Sequence, residues 1–369
     1  MPGFDVMNNQ ENFSTEFRKV LTPPEKKDIE DFLALSGLRF EDDIEETAIV
    51  RENSEIIATG SISGNVLKCI AIKPDIRGSN LAGSLITSLI QKQYYRGISN
   101  LFIFTKPENS SIFSRLGFYV IYEVENEAVL MENNPAGLSS FIEKIKNETK
   151  AGITESVSSS QNGHLETSRK ISAIVVNCNP FTKGHLYLIE KAASESVFLH
   201  IFVVSENRSV FPSETRFSLV KKGTEHLMNL AVHNGSDYII SNSTFPSYFI
   251  KDTKKIYDIH AKMDLGIFSE KIAPALNITR RFAGEEPLCP VTNNYNRLMA
   301  EILPQKGIEF TVIKRLEGGG SPVSASRVRQ LIRENRLEET EQLLPPVTYD
   351  FLKSPDGAEI IKKIRGIKR

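Results

Sequence analysis

Apolar and polar positions fall into two patterns along the chain, with a stretch between them that has neither. The runs 46–51 (E-T-A-I-V-R), 55–61 (E-I-I-A-T-G-S) and 65–72 (N-V-L-K-C-I-A-I) are short, β-rich and separated by turn residues, which predicts an antiparallel meander. Leu81, Leu85, Ile86, Leu89 and Ile90 then recur at helical spacing, predicting a helix over 80–95. A strand at 100–104, a helix near 109–115 and a strand at 117–122 follow. Beyond residue 170 strands and helices alternate. Strands are expected at 171–176, 197–204, 236–241, 278–283 and 308–314, with helices near 184–194, 213–228, 252–264, 292–303 and 325–335. Such alternation predicts a parallel sheet covered on both faces, with a ligand site at the carboxyl ends of its strands.

Residues 147–170 carry Ser, Gly, Asn and Thr, no aromatic residue and little apolar periodicity, so they read as a flexible linker. The first 13 residues, rich in Asn and Gln, read as a disordered tail. The expected organisation is therefore an α/β domain over 14–146, the linker over 147–170, a second α/β domain over 171–345 and a helical tail over 346–369. Charge agrees with the division: residues 1–150 sum to -6 and residues 171–369 to +5, concealed in a net charge of -1 over 369 residues. An apolar fraction of 40% is ample for two cores. The chain has neither a run of about 18 apolar residues nor a signal-peptide pattern at its start, which points to a cytoplasmic protein with no membrane partner. Cys69, Cys178 and Cys289 are far apart and odd in number, so free thiols are expected, not disulfides or a structural zinc site. The absence of a long basic stripe makes nucleic acid a poor partner.

Candidate chemistry concentrates after residue 170. The first strand runs into N-C-N-P-F-T-K-G-H, a turn holding Asn179, Pro180 and Phe181 before a helix that begins near Gly184. Unpaired backbone N–H groups and the positive end of a helix dipole make such a turn an anion site. Gly184 leaves room for a flat base or a phosphate, and Thr182 and His185, three residues apart, fall on one side and can donate to phosphate oxygens. A second cluster, G-G-G-S-P-V-S-A-S-R-V-R, places a glycine run before a helix opened by Ser324 and carrying Ser326, Arg327 and Arg329 in its first turns. Hydroxyls and guanidinium groups at a helix N-terminus suit a polyphosphate and a departing pyrophosphate. Between the two clusters, R-R-F-A-G-E-E-P ends a strand at Gly284 before Glu285 and Glu286. A carboxylate there can hold ribose hydroxyls or shape an acid pocket, with Glu285 favoured over Glu286. Of Arg280 and Arg281, one is expected to face a phosphate and the other to pair with a carboxylate. Cys178 follows an apolar strand with no His–acid partner, so a small buried filler is favoured over a nucleophile. His200, His226, His233 and His260 read as structural or surface residues.

Together T-K-G-H and S-A-S-R-V-R resemble the paired signatures of the HIGH-type nucleotidylyltransferase superfamily, with Thr182 where His is frequent and Ala325 where a hydroxyl residue is common. With F-P-S-E-T-R-F-S-L-V-K-K-G, Y-I-I-S-N-S-T-F-P-S-Y-F-I-K-D and R-F-A-G-E-E-P-L-C-P-V-T-N-N-Y-N in the same order, 171–345 resembles the citrate lyase ligase family. That resemblance implies a Rossmann-like domain that acetylates, with ATP, the thiol of the CoA-like prosthetic group on the acyl carrier (gamma) subunit of citrate lyase. The route it implies runs through acetyl-adenylate and releases AMP and pyrophosphate. It further implies His185, Thr182 and Arg329 as catalytic residues. Asn179, Pro180, Phe181, Gly184, Gly284, Glu285, Ser324 and Ser326 would complete the ATP site, with Mg²⁺ bridging phosphates and no protein metal site. Upstream, V-L-K-C-I-A-I-K-P-D-I-R-G-S-N-L-A-G-S-L-I resembles the GNAT acetyltransferase fold. The resemblance suggests Arg77, Gly78, Asn80, Ala82 and Gly83 as a docking element for the CoA-like arm, although Asn80 stands where that family has Gly. Two other classes remain open: a nucleotidylyltransferase of coenzyme biosynthesis fused to a working acetyltransferase, and a non-catalytic sensor that keeps the ATP site.

Overall fold

A computed structural model describes residues 14–76, 80–160, 170–206, 209–239, 245–286, 289–318 and 321–366. The chain divides into two compact units, one of residues 1–137 with 246–256 and one of residues 138–245 with 257–369.

The first unit is built on a seven-stranded sheet. Its elements are β1 (Thr15–Arg18), α1 (Pro23–Leu35), β2 (Glu46–Glu52), β3 (Glu55–Ser63), β4 (Val66–Ile72), α2 (Leu81–Tyr95), β5 (Phe102–Thr105), α3 (Ser110–Arg115), β6 (Tyr119–Val124) and β7 (Ala128–Glu132). The spatial order is β1-β2-β3-β4-β5-β7-β6, and only the β4–β5 pair is parallel. The meander read from the sequence is β2–β3–β4. Leu81, Leu85, Ile86 and Leu89 of α2 are buried against this sheet as their spacing predicts. Close approach requires Gly60 on β3, where a Cβ would come within 2.8 Å of Leu89. The short strand and helix at the start, β1 and α1, carry too few apolar positions to announce themselves. Thr22 and Glu25 nonetheless form a capping box that opens α1 behind Pro23.

The segment 246–256, far along the chain, also belongs to this unit. Arg39 N–H donates to the Tyr248 carbonyl at 2.9 Å, Ser247 N–H to the Glu41 carboxylate at 2.8 Å, and the Tyr248 hydroxyl to the Phe104 carbonyl. Neither unit is therefore one continuous stretch of chain.

The second unit is a parallel five-stranded sheet with helices. It comprises α4 (Gly137–Ser160), β8 (Lys170–Val176), α5 (Lys183–Ser194), β9 (Ser196–Val203), α6 (Ser213–Gly223), β10 (Leu230–Asn234), α7 (Ile256–Ile267), a π-helical turn at Phe268–Ile272, α8 (Ala273–Ala275), β11 (Arg280–Gly284), α9 (Pro290–Gln305) and β12 (Glu309–Ile313). A hairpin of β13 (Glu317–Gly318) and β14 (Ser321–Pro322) follows, then α10 (Ala325–Arg333), α11 (Pro346–Lys353) and α12 (Pro355–Ile364). The order β10-β9-β8-β11-β12 makes β8 the central strand, with chain connections leaving toward opposite edges on either side of the β8–β11 pair. That point of divergence is where a parallel sheet opens a ligand crevice at its carboxyl ends.

Three expectations are corrected. First, α4 continues through Ser160, so 147–160 is helix and not linker. Ile142, Ile145 and Thr149 are buried, and a Cβ on Gly152 would stand 3.2 Å from Phe198 of β9, so one face of α4 packs on the second sheet. Residues 161–169, the rest of the expected linker, and the expected tail over 1–13 lie outside the described residues. Second, the strand expected at 236–241 lies at Leu230–Asn234, and Ser236–Tyr238 is a 3-10 turn. Third, the C-terminal helices are no tail: Tyr349, Leu352, Ile360, Ile361 and Ile364 form one core with Phe211, Val328 and Ile332.

Candidate active site

At the start of α5, Thr182 is the N-cap and His185 the third helical residue, and the two form a reciprocal capping box. His185 N–H donates to Thr182 Oγ1 at 3.4 Å, and Thr182 N–H donates to His185 Nδ1 at 3.1 Å. Thr182 Oγ1 also lies 2.8 Å from Nδ1. Because Nδ1 accepts from a backbone N–H, the proton of the neutral ring resides on Nε2, which becomes a fixed donor. Burial pushes the His185 pKa down to about 4, and the positive charge of Arg315 acts in the same direction. At neutral pH the group is an uncharged Nε2–H donor.

This geometry gives the residues of the expected anion site contacts within the protein. Thr182 is buried and its hydroxyl is engaged within the cap, so it positions His185. Lys183 N–H is likewise taken, by the Leu343 carbonyl at 2.9 Å. Gly184 is required by the protein's own packing: a Cβ there would lie 2.8 Å from the Val323 carbonyl oxygen. Phe181 is fully buried in the core, so tightly that a Cβ on Gly223 would meet its ring at 2.4 Å. Pro180 is buried as well.

The same close approach of Gly184 to Val323 brings the second motif to the first. Ser324 caps α10 by accepting from Arg327 N–H at 3.2 Å, and its Oγ lies 3.1 Å from that of exposed Ser326. Arg329 donates to the Asn179 carbonyl, and Asn179 Oδ1 accepts from Phe211 N–H at 3.1 Å. The loop that carries the first motif is also held by Arg216, which sequence reading passed over inside F-P-S-E-T-R-F. Fully buried, Arg216 donates to carbonyls of Asn177 (2.9 Å), Val204 (2.7 Å) and Phe211 (3.0 Å), joining the loops that follow β8 and β9. The signal available was a lone Arg at a buried helical position, which composition does not distinguish from a surface one.

At the end of β11, Gly284 accepts from Asn296 Nδ2 at 3.0 Å. Glu285 has an exposed side chain, whereas the Glu286 carboxylate is bound by Arg315 and by Cys289 N–H. Arg315, just beyond β12, is thus a second residue that sequence reading missed, and its charge reaches His185. Arg280 pairs with Glu309 at 3.0 Å. Arg281 instead enters a cleft of about 310 Å³ beside the carboxyl ends of β8, β9 and β11, lined also by Asn177, Asp264, Gly284 and Tyr295. His260, read as structural, lines it too. Cys178 is buried with its thiol pKa pushed up by burial, as suits a filler.

In the first unit Asn80 is the N-cap of α2 and makes no side-chain cap bond. Its Oδ1 lies 3.2 Å from where a Cβ on Gly83 would stand, and Ala82 shares that first turn. Arg77 and Gly78 lie outside the described residues.

No helix among the described residues is long and apolar enough to cross a membrane. A profile of the citrate lyase ligase C-terminal domain matches residues 171–352. The citrate (pro-3S)-lyase ligase of Klebsiella pneumoniae is 42% identical over 333 residues, covering 89% of this chain and 93% of that protein. The protein of the same name from Escherichia coli K12 is 40% identical over 345 residues, covering 92% and 94%. Among solved structures, Escherichia coli ElaA covers 33% of this chain and 99% of its own at 10% identity and a TM-score of 0.30. Sequence likeness of that extent spans both units and every block of the site, and the chain therefore belongs to the citrate (pro-3S)-lyase ligase family of enzymes.

Proposed function

We propose that this enzyme activates citrate lyase by acetylating the thiol of the CoA-like prosthetic group on its acyl carrier subunit, with ATP as the energy source. An acetate oxygen attacks the α-phosphorus, the bond to the bridging oxygen breaks, and pyrophosphate leaves with that electron pair. The thiolate then attacks the acetyl carbon of acetyl-adenylate, and AMP departs. No protein nucleophile is required, so the side chains need only align the reactants and stabilise charge.

His185 donates from Nε2 to an α-phosphate oxygen as charge develops there, held in aim by Thr182. Ser324, Ser326 and Arg329 engage the β- and γ-phosphates, with Arg329 exchanging its Asn179 contact for ligand. Glu285 and Gly284 border the nucleoside. Among the described residues no three His, Cys, Asp or Glu side chains are grouped to hold a metal, and Mg²⁺ would enter bound to the ATP phosphates. The first unit would receive the prosthetic arm at the start of α2, around Asn80, Ala82 and Gly83, with Arg77 and Gly78 before them.

The observation that carries this reading is the neutral, N-terminally placed His185 with its donor nitrogen fixed by the capping box. Acetate-dependent exchange of labelled pyrophosphate into ATP tests it. Exchange requiring acetate is expected; exchange only with a phosphomonoester acceptor would favour a nucleotidylyltransferase of coenzyme biosynthesis, and none at all a binding protein.

A further inference from the structure

The cleft beside β11 contains a charge that the phosphate chemistry does not use. Arg281 is 2% exposed, and its Nη1 has no hydrogen-bond partner among the described residues. The other terminal nitrogen, Nη2, donates to the Tyr295 hydroxyl at 3.1 Å, and Tyr295 in turn donates to the Asp264 carboxylate. Asp264 itself stands 3.9 Å from Arg281, beyond direct hydrogen bonding. The Phe268 ring lies 4.4 Å from Arg281 Cζ and the Tyr295 ring 5.8 Å, so aromatic faces fix the guanidinium plane. Such a group is held in place through Nη2 and the two rings and keeps Nη1 unsatisfied in the wall of the cleft.

We propose that this cleft is the subsite for a short-chain carboxylic acid, with Arg281 receiving the carboxylate and Met299 and Val204 covering the alkyl end. The inference rests on the acid–thiol ligase reading and names where its acid binds. Planar N–H donors match a carboxylate. Asp264 offsets part of the positive charge, which suits a monoanion and disfavours a doubly charged phosphate. The apolar lining by Val175, Val204, Val291 and Met299 suits a methyl group. At about 310 Å³ the cleft is at the small end of ligand sites. Asn177 lies between β8 and the loop of Asn179, so an acid here borders the nucleotide motif.

The test measures pyrophosphate exchange by the full-length enzyme with acetate and propionate, for wild type, Arg281→Lys and Met299→Ala. Expected are an acetate KM raised by about tenfold or more in Arg281→Lys with the ATP KM within about twofold, and a propionate-to-acetate ratio of kcat/KM raised by about tenfold in Met299→Ala. If Arg281→Lys does not fold, the Met299→Ala ratio decides. Unchanged acetate KM and unchanged ratio overturn the assignment, as does a shift confined to the KM of ATP or of the carrier thiol. Absence of acid-dependent exchange in the wild type is a different failure, that of the ligase reading.

Discussion

At the scale of single residues, the T-K-G-H block was legible because its spacing places a cap and a donor on one turn. What each residue does was not. Phe181, Thr182 and Gly184, expected at the ATP site, lie close to Gly223, His185 and Val323. Two of those partners lie far along the chain, and no local pattern announces them. The account predicts that His185→Ala lowers exchange activity on the order of 10²–10³-fold while the protein remains folded. Thr182→Val removes the cap, costing about 1 kcal/mol of stability, and lowers kcat, whereas Thr182→Ser retains both. Thermal melts and exchange rates on the same samples separate the two effects.

Histidine also makes stability depend on pH. Burial holds His185 and His233 down to about 4 and His200 down to about 3, and the last two face each other at 3.0 Å. In the unfolded chain these rings take up protons near pH 6.5. Between about pH 6.5 and 4 the unfolded state therefore binds more protons, and stability falls as the pH is lowered through that window. The melting temperature should drop on acidification from pH 7 to 5, and the slope should be shallower when His200 and His233 are both replaced by apolar residues. An equal slope in that variant contradicts the assignment to the pair.

At the scale of elements, strong periodicity found the central strands and α2, and tertiary packing decided the rest. The serine-rich stretch after Asn147 has few apolar residues, yet Ile142, Ile145, Thr149 and Gly152 recur at intervals of three and four; the first three are buried and Gly152 approaches Phe198. Beyond Asn147 that face continues in Thr149 and Gly152, which a reading that counts large apolar residues passes over. At β10 the apolar run after residue 236 outweighed the weaker Leu230–Asn234, which becomes a strand through its parallel register with β9. The contact between α5 and the Val323 segment is the critical junction, because both motifs depend on it. Gly184→Ala places a methyl against a backbone carbonyl that cannot rotate away. It should cost about 1–3 kcal/mol and reduce exchange by more than the loss of folded protein explains. A variant with native activity and melting temperature would show that the two motifs need not touch. The C-terminal helices depend on a similar approach, since a Cβ on Gly357 would lie 2.1 Å from the Phe351 carbonyl.

At the scale of the whole molecule, the charge division correctly indicated two units but not their boundaries or sites. All of the +5 in residues 171–369 is accounted for by Lys362, Lys363, Arg365, Lys368 and Arg369, leaving 171–361 neutral. On the proposed reading phosphate recognition is therefore local, resting on His185, Arg329 and the start of α10 and not on a broad positive field. The passage of 246–256 into the first unit was unreadable, because its partners Arg39, Glu41 and Phe104 lie more than 140 residues upstream. The central claim is that this molecule joins an acid to a thiol by attack of the acid's oxygen on the α-phosphorus of ATP. The most direct measurement is turnover with ¹⁸O-labelled acetate, ATP and the carrier thiol, followed by mass analysis of the AMP. One ¹⁸O in the AMP phosphate is predicted; label found in pyrophosphate or orthophosphate, or unlabelled AMP alongside acetylated carrier, would contradict the account.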